Sequence, residues 1–229
     1  VSQRAILFDV GNTLLFLDYP RLAMGVSSAT GVPITPEGLA AVAGEAALLM
    51  ERGDTTDRDR ASRYLEQLFV LCGVPAAQTN LVRDTLLALH RQRHLWSGVD
   101  PDTGPALDRL LAAGYRLAVV SNSDGRAEEA LVVAGLRRRF ELVVDSQLVG
   151  VEKPDPRIFQ MALEMLRLPP ANALYVGDLY EVDVVGARRA GLDVILLDPL
   201  GQHRQRDVRT APNVVEVANL LLENAGNGS

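Results

Sequence analysis

Hydrophobic positions along this chain follow two different rhythms. Near the start, Ala5, Ile6, Leu7 and Phe8 form a short unbroken apolar run, the mark of a strand buried on both faces. Between Leu15 and Trp96 the apolar spacing changes to three and four residues: Leu39, Val42, Ala46 and Leu49, then Tyr64, Leu65, Leu68 and Leu71, then Leu81, Leu86, Leu87 and Leu89. Such spacing predicts amphipathic helices, about four of them, because Gly31-Val32-Pro33, Arg52-Gly53-Asp54 and Gly73-Val74-Pro75 interrupt it. From Ser97 onward apolar runs alternate with helical stretches, expected over Thr103 to Ala113, Arg126 to Leu136, Pro156 to Leu166 and Val214 to Leu222. That alternation predicts an α/β fold with a doubly wound parallel sheet, which the first strand joins across a helical insert. The expected domains are residues 1–15 with 97–229 for the α/β core, and 16–96 for the insert. No internal repeat interrupts this plan.

The first strand is informative because of how it ends. Asp9 follows Phe8 directly, and a polar turn, Val10-Gly11-Asn12-Thr13, comes next. A carboxylate at the end of an apolar strand needs a cation, backbone N–H donors or solvent in a crevice. The plain alternative is an Asp that only caps the turn. Three later strands end in a similar way. Arg116 to Val120 runs into Ser121-Asn122-Ser123; Phe140 to Val144 leads through Asp145 to Lys153-Pro154; Ala173 to Val176 runs into Gly177-Asp178, with Asp183 five residues later. In an open parallel sheet such ends converge on one crevice outside the carboxyl ends of the strands.

Three aspartates, a hydroxyl and a lysine gathered there are the parts that hold a divalent metal against a phosphate. Phosphoryl transfer depends on positioning and on neutralising charge at the equatorial oxygens, work suited to Mg²⁺, Lys153 and a hydrogen bond from Ser121. An Asp nucleophile is ionised at neutral pH and needs no base to activate it. Mg²⁺ takes oxygen ligands and keeps several waters, so two or three carboxylates and a backbone carbonyl such as that of Gly11 suffice.

These segments resemble the motifs of the haloacid dehalogenase superfamily of hydrolases, and among them the members with a helical cap inserted after the first strand. The resemblance covers nearly the whole chain. The first motif is similar to Asp9-Val10-Gly11-Asn12-Thr13, the second to Ser121-Asn122, and the third to Lys153-Pro154. The fourth runs from Gly177-Asp178 through Asp183 and is followed by Gly186-Ala187-Arg188-Arg189-Ala190-Gly191. The resemblance implies that Asp9 attacks phosphorus to form an aspartyl-phosphate, that Thr13 supports the turn, and that Ser121 with Asn122 and Lys153 holds the phosphoryl group. It also implies that Asp9, the Gly11 carbonyl, Asp178 and, more indirectly, Asp183 hold Mg²⁺. The implied activity is a Mg²⁺-dependent phosphatase acting on a small phosphorylated metabolite. Asp9-Val10 with Thr13-Leu14-Leu15, and Lys153 through Phe159, also resemble a subgroup described only as hydrolase-like, which adds no substrate.

One departure from the phosphatase pattern stands out. The second residue after the nucleophile is usually an Asp that protonates the leaving oxygen and then activates water; here it is Gly11. Asp18 and Asp54 are candidates for a replacement acid. The next position is Asn12 where the family usually has Gly, and Asn tolerates positive φ, so the turn is expected to persist. Two other activities compete. A dehalogenase would use the same Asp against carbon without a metal, but family members with that chemistry generally lack the carboxylate at Asp178 and carry Tyr at Gly11. A catalytically impaired protein would keep the fold and bind a phosphorylated ligand or another protein.

Composition narrows the partners. The 229 residues are 48% hydrophobic, enough for a sizeable core, and the formal net charge of −6 argues against nucleic acid or an anionic membrane. The arginines at 58, 60 and 63 and at 137, 138 and 139 are expected on solvated faces. The single cysteine, Cys72, excludes an internal disulfide and reads as a small core residue. With no leader-like stretch, and no run near the ~18 apolar residues that span a membrane, a reducing cytoplasm is the expected setting. His90 and His94 lie four apart on an expected helix without the Glu of a His-Glu-x-x-His zinc motif, so a capping or exposed role is expected. Trp96 reads as packing at the hinge, and His203 carries no signal.

Overall fold

The computed structural model describes residues 5–50, 57–203 and 205–226. The chain forms two compact units, Val1–Phe16 with Val99–Ser229 and Leu17–Gly98. Along the chain, β1 (Ala5–Phe8) is followed by a two-residue strand, β2 (Phe16–Leu17), whose partner β3 (Trp96–Gly98) comes only at the end of the smaller unit. Five further strands are β4 (Arg116–Ser121), β5 (Leu142–Asp145), β6 (Ala173–Gly177), β7 (Asp193–Leu197) and β8 (Arg209–Ala211). With β1 they make a six-stranded sheet of order β5-β4-β1-β6-β7-β8, every pairing parallel.

Among the described residues the α-helices of the smaller unit are α1 (Tyr19–Thr30), α2 (Pro36–Met50), α3 (Asp57–Leu71) and α4 (Thr79–Gln92). Those of the larger unit are α5 (Thr103–Ala112), α6 (Ala127–Val133), α7 (Ser146–Val149), α8 (Pro156–Leu166), α9 (Val185–Arg189) and α10 (Val214–Gly226).

In the larger unit the central strand is sealed on both faces: all four side chains of β1 have no exposure at all. Strand alternation sends Leu7, Val120 and Tyr175 to the face where Ile158, Phe159 and Leu163 of α8 and Ala187 of α9 pack. Ile6, Phe8, Val119 and Val176 are as deeply buried on the opposite face. Burial on both sides is why these strands read as unbroken apolar runs. From β1 the chain builds outward to β4 and β5, then crosses back to β6 beside β1 and continues to β7 and β8. The strand order therefore reverses at β1, and the carboxyl edge there is where such sheets bind ligands.

The smaller unit has its own core, in which Leu22, Val26, Leu39, Leu68, Phe69, Val82 and Leu86 are buried. Its first helix shows how local chemistry sets the ends. Asp18 accepts the Arg21 N–H at 3.1 Å as N-cap, Pro20 occupies the first turn, and Gly31 closes the helix at φ 74°. The Arg21 guanidinium donates to the carbonyl of Arg93 at 3.1 Å, satisfying the chain just past the end of α4.

Several expectations need correction. On α4 the buried stripe runs through Val82 and Leu86, while Leu81 and Leu87 are exposed; four-residue spacing from Val82 puts the latter two off the stripe. His94 lies past the end of α4 rather than on it, its ring 4.8 Å from that of His90, and Trp96 donates its N–H to His94 Nδ1 at 3.2 Å. Phe140 precedes β5 instead of opening it: its N–H closes the preceding turn on the Arg137 carbonyl at 3.1 Å, and its ring packs edge-on against Phe8 at 6.2 Å. Arg139 is not solvated: its side chain is 10% exposed and forks onto Asp108 with two bonds of 2.8 Å. Three residues of edge strand, β8, escaped the sequence pattern. Cys72 is half-buried against the core of the smaller unit, and burial pushes its thiol up. The Arg52-Gly53-Asp54 break lies outside the described residues. No described helix is long and apolar enough to cross a membrane.

One close approach ties the fold to the site. A Cβ on Gly186, in α9, would lie 2.9 Å from Pro154 Cα and 2.8 Å from the Phe159 ring. Gly186→Ala is therefore expected to destabilise the protein by about 1–3 kcal/mol, the cost of overpacking outweighing the better helix propensity of Ala. Denaturant unfolding checks this; an unchanged or higher midpoint would show that the backbone around Pro154 can give way.

Candidate active site

Because all six strands of the sheet are parallel, the residues that follow them share one edge. Phe8 pairs with Val119 and Val176, so Asp9 stands beyond the centre of the sheet, and its own N–H continues the ladder to the Val176 carbonyl at 2.9 Å. The chain then turns tightly: Leu14 and Leu15 both donate to the Val10 carbonyl, at 2.9 and 2.8 Å, and Asn12 donates to the Leu15 carbonyl at 2.7 Å. The left-handed residue of this turn is Asn12, with φ 52°. The turn is preserved with Asn where the family usually has Gly, as expected from the tolerance of Asn for that conformation. The Asn12 amide also donates to Asp178 Oδ2 at 3.3 Å.

Lys153 is the centre of the cluster. Its side chain is 2% exposed, and its ammonium makes three bonds: to Asp9 Oδ1 at 2.7 Å, Asp183 Oδ1 at 2.8 Å and the Tyr175 hydroxyl at 3.0 Å. Those three bonds use all of its donors. Burial pushes the Lys153 ammonium towards neutrality, but the adjacent carboxylates of Asp183 and Asp9 outweigh it and hold its pKa well above the usual lysine range. Asp9 is pushed up to about 6, chiefly by burial, with Asp183 adding to the rise and Lys153 opposing it.

Asp183 is fully engaged. Its Oδ1 accepts from Lys153 and lies 3.0 Å from the Tyr175 hydroxyl, while its Oδ2 accepts the N–H groups of Asp178 at 3.1 Å and Leu179 at 2.9 Å. It sits in a π-helical turn, Tyr180–Val184, and closes back on β6. Only a glycine fits there, since a Cβ on Gly177 would lie 2.5 Å from the Asp183 carboxyl carbon. Asp178 is raised well above the ordinary carboxylate range by burial, then by Asp183 and Asp9.

Three carboxylates against one ammonium leave the cluster with excess negative charge, which the upward shifts of Asp9 and Asp178 express. Oxygen atoms of Asp9, Asp178 and Asp183 lie within 4.8 Å of one another, a donor set suited to a hard divalent cation. Asp9 and Asp178 keep free capacity for such an ion, whereas the carboxylate oxygens of Asp183 are already committed to Lys153 and the 178–179 backbone.

The other sequence-derived residues divide into two kinds. Ser121 ends β4, 3% exposed, and Thr13 Oγ1 is buried with no hydrogen-bond partner, a donor with nothing yet to donate to. Asn122 is turned away: it accepts the Lys153 N–H at 2.7 Å and donates to the Lys153 carbonyl at 3.0 Å, so it fixes the backbone that carries the ammonium. Gly11 presents no side chain beside Asp9. Asp18 is spent as the cap of α1 and in an ion pair with Arg93; Asp54 lies outside the described residues. Tyr175 is the site residue that the sequence reading missed. Its signal is a phenol within a buried strand, since a buried hydroxyl must find partners.

Comparison with known proteins identifies the family. The sequence model of the haloacid dehalogenase-like hydrolase family matches residues 3–191. The mouse haloacid dehalogenase-like hydrolase domain-containing protein 3 is 39% identical over 130 residues, 56% of this chain and 51% of that protein, so the match spans about half its length. The glyceraldehyde 3-phosphate phosphatase of Methanopyrus kandleri is 31% identical over 194 residues, 82% of this chain and 81% of that one. Among solved structures, HAD-hydrolase YfnB from Bacillus subtilis, crystallised with magnesium, superposes with a TM-score of 0.70 at 21% identity. That superposition covers 96% of this chain and 99% of the other, and it shows the fold alone. The six-stranded parallel sheet, the charged cluster at its carboxyl edge and a match over most of the length together place the chain in the haloacid dehalogenase-like hydrolase family.

Proposed function

We propose that this hydrolase is a Mg²⁺-dependent phosphatase that acts on a small phosphorylated metabolite with Asp9 as nucleophile. What carries the proposal is the buried cluster of Asp9, Lys153, Asp183 and Asp178, which combines a held nucleophile with more negative charge than its one lysine neutralises. The resemblance to a relative described as glyceraldehyde 3-phosphate phosphatase supports a phosphorylated substrate. Lys153 grips Oδ1 of Asp9, leaving Oδ2 to attack phosphorus. The P–O bond to the leaving group breaks as the Asp9–phosphorus bond forms, and water then attacks phosphorus to release phosphate and restore the carboxylate. Ser121 and the unpartnered Thr13 hydroxyl are donors suited to the phosphoryl oxygens and to the turn beneath them. Mg²⁺, held by Asp9, Asp178 and the Gly11 carbonyl, would neutralise charge that develops on the transferring group. Asp183 acts in this scheme by fixing Lys153 and the Asp178 backbone.

Gly11 sets the substrate preference. No carboxyl stands there to protonate a leaving alkoxide, so phosphates with good leaving groups, aryl and acyl phosphates, are the better substrates. A second reading, a phosphate-binding protein with little turnover, is favoured by that same glycine; a dehalogenase is disfavoured by Asp178, since it would need no metal.

Phosphate release from an aryl phosphate is expected with Mg²⁺, and loss of it both with chelator and in Asp9→Asn. Tight binding of inorganic phosphate and Mg²⁺ without any release by the native chain would favour the binding protein. Release that persists in chelator would refute the metal requirement. Gly11→Asp is expected to raise kcat on an alkyl phosphate by roughly 10²–10⁴-fold, the usual worth of a positioned general acid, and to change the aryl phosphate rate much less. The positive φ of this turn falls on Asn12, so the added side chain meets no left-handed backbone. Equal gains on both substrates would show that leaving-group protonation is not what the native site lacks.

A further inference from the structure

We propose that Asp145, with Ser146 beside it, is a positioning residue: it holds the loop after β4 in the shape that lets Asn122 grip the backbone of Lys153. Asp145 ends β5 directly opposite Ser121 and is 2% exposed. Its carboxylate accepts three backbone N–H groups, from Gly125 at 3.1 Å and Gln147 at 3.0 Å on Oδ1, and from Ala127 at 3.1 Å on Oδ2. Ser146 Oγ accepts the Ser123 N–H at 3.1 Å and donates to the Ser123 carbonyl at 3.3 Å. Two consecutive side chains thus pin residues 123, 125 and 127, alternate positions from the loop after β4 into the first residue of α6.

Helix capping alone accounts for only part of this pattern. Gln147 and Ala127 lie in the first turns of α7 and α6, where an acceptor is expected at a helix start. Ser123 and Gly125 lie in neither helix, and the bonds to them shape the loop itself. Immediately before the first pinned position, Asn122 clasps both the N–H and the carbonyl of Lys153. Lys153 in turn carries the ammonium that holds Asp9 and Asp183. The order of support runs from Asp145 and Ser146 through the loop and Asn122 to Lys153 and the nucleophile. Neither Asp145 nor Ser146 bonds to any of the three charged groups it positions.

Backbone exchange tests this without any substrate. Amide hydrogen exchange would be compared in the full chain for the native protein, Asp145→Asn and Ser146→Ala. The Asn amide cannot accept the Ala127 N–H where the carboxylate oxygen did, and the Ala loses only the Ser123 pair. In both variants the Lys153 N–H is expected to exchange about tenfold faster or more, while amides of β1 and β6 keep their native protection. If only the amides that bond directly to the substituted side chain accelerate, Asp145 is a local cap and the proposal fails. Uniform acceleration across the sheet also overturns it, as a general loss of stability. Should Asp145→Asn not fold, the milder Ser146→Ala decides by the same readout.

A kinetic arm rests on the phosphatase reading. With Mg²⁺ and an aryl phosphate, kcat/KM is expected to fall by about 10- to 100-fold in Asp145→Asn, the scale of a small misplacement in an active site. Because Asp145 acts through Asn122, combining Asp145→Asn with Asn122→Ala is expected to cost little more than Asn122→Ala alone; multiplied losses would refute the shared route. Absence of turnover in the native chain would sink the phosphatase reading and leave the exchange result to judge Asp145.

Discussion

The site depends on one buried ammonium. Lys153 bridges Asp9 at the end of β1 and Asp183 in the turn after β6, and among the described residues neither carboxylate has another ion-pair partner. Removing charges from water costs several kcal/mol each, and breaking such a pair by deleting one partner typically costs about 3–5 kcal/mol because the other charge is left buried and alone. Here the attraction of two carboxylates exceeds the penalty on the lysine, which stays charged. Asp9 is therefore held in place by a residue 144 positions away in the chain.

Much of the surrounding structure secures that ammonium. Asn122 holds the Lys153 backbone on both sides, Gly186 admits α9 against Pro154, and Tyr175 supplies a hydroxyl within reach of both Lys153 and Asp183. The phenol has one proton; accepting from Lys153, it donates to either the Val120 carbonyl or Asp183, each 3.0 Å away. Its ring packs edge-on to Phe159 at 4.9 Å, joining the polar cluster to the apolar layer of α8. Asp183 works in the opposite direction, taking two backbone N–H groups and so fixing the start of the turn that carries Asp178, one oxygen of which accepts from Asn12. The cluster is left short of positive charge and, at Gly11, short of an acid. The first lack suits a divalent metal; under the proposed phosphatase chemistry, the second would restrict the leaving groups it can serve.

Legibility from sequence varied with how local each cause was. The helix Pro156–Leu166 was readable to the residue, since Asp155 caps it through the Arg157 N–H and Pro156 opens it. Apolar spacing overruns the end of α6 by three residues, continuing to Leu136 while the helix stops at Val133 and the chain turns through Gly135 at φ 69°. The stripe on α4 was misassigned because Leu is equally apolar on either face, and only packing separates Leu86, buried, from Leu87, exposed. Arg139 looked solvated because its partner, Asp108, is 31 residues away.

By itself the sequence determined the alternation of strands and helices, the aspartates and lysine that follow the strands, the turn that accepts Asn12 at positive φ, and the glycine where an acid is usual. Each of these is written in residue type and short spacing, and steric and capping rules act over a few residues. Only the tertiary structure decided that Asp183 spends both oxygens on Lys153 and its own loop, that Asn122 serves a backbone, that Tyr175 belongs to the site, and that Asp145 braces the loop after β4. Apart from the bonds of Asp183 to its own loop, these are contacts between residues in or beyond different parallel strands, brought together by long crossovers. A side chain's partners across such crossovers depend on register and burial, which no short stretch of sequence contains.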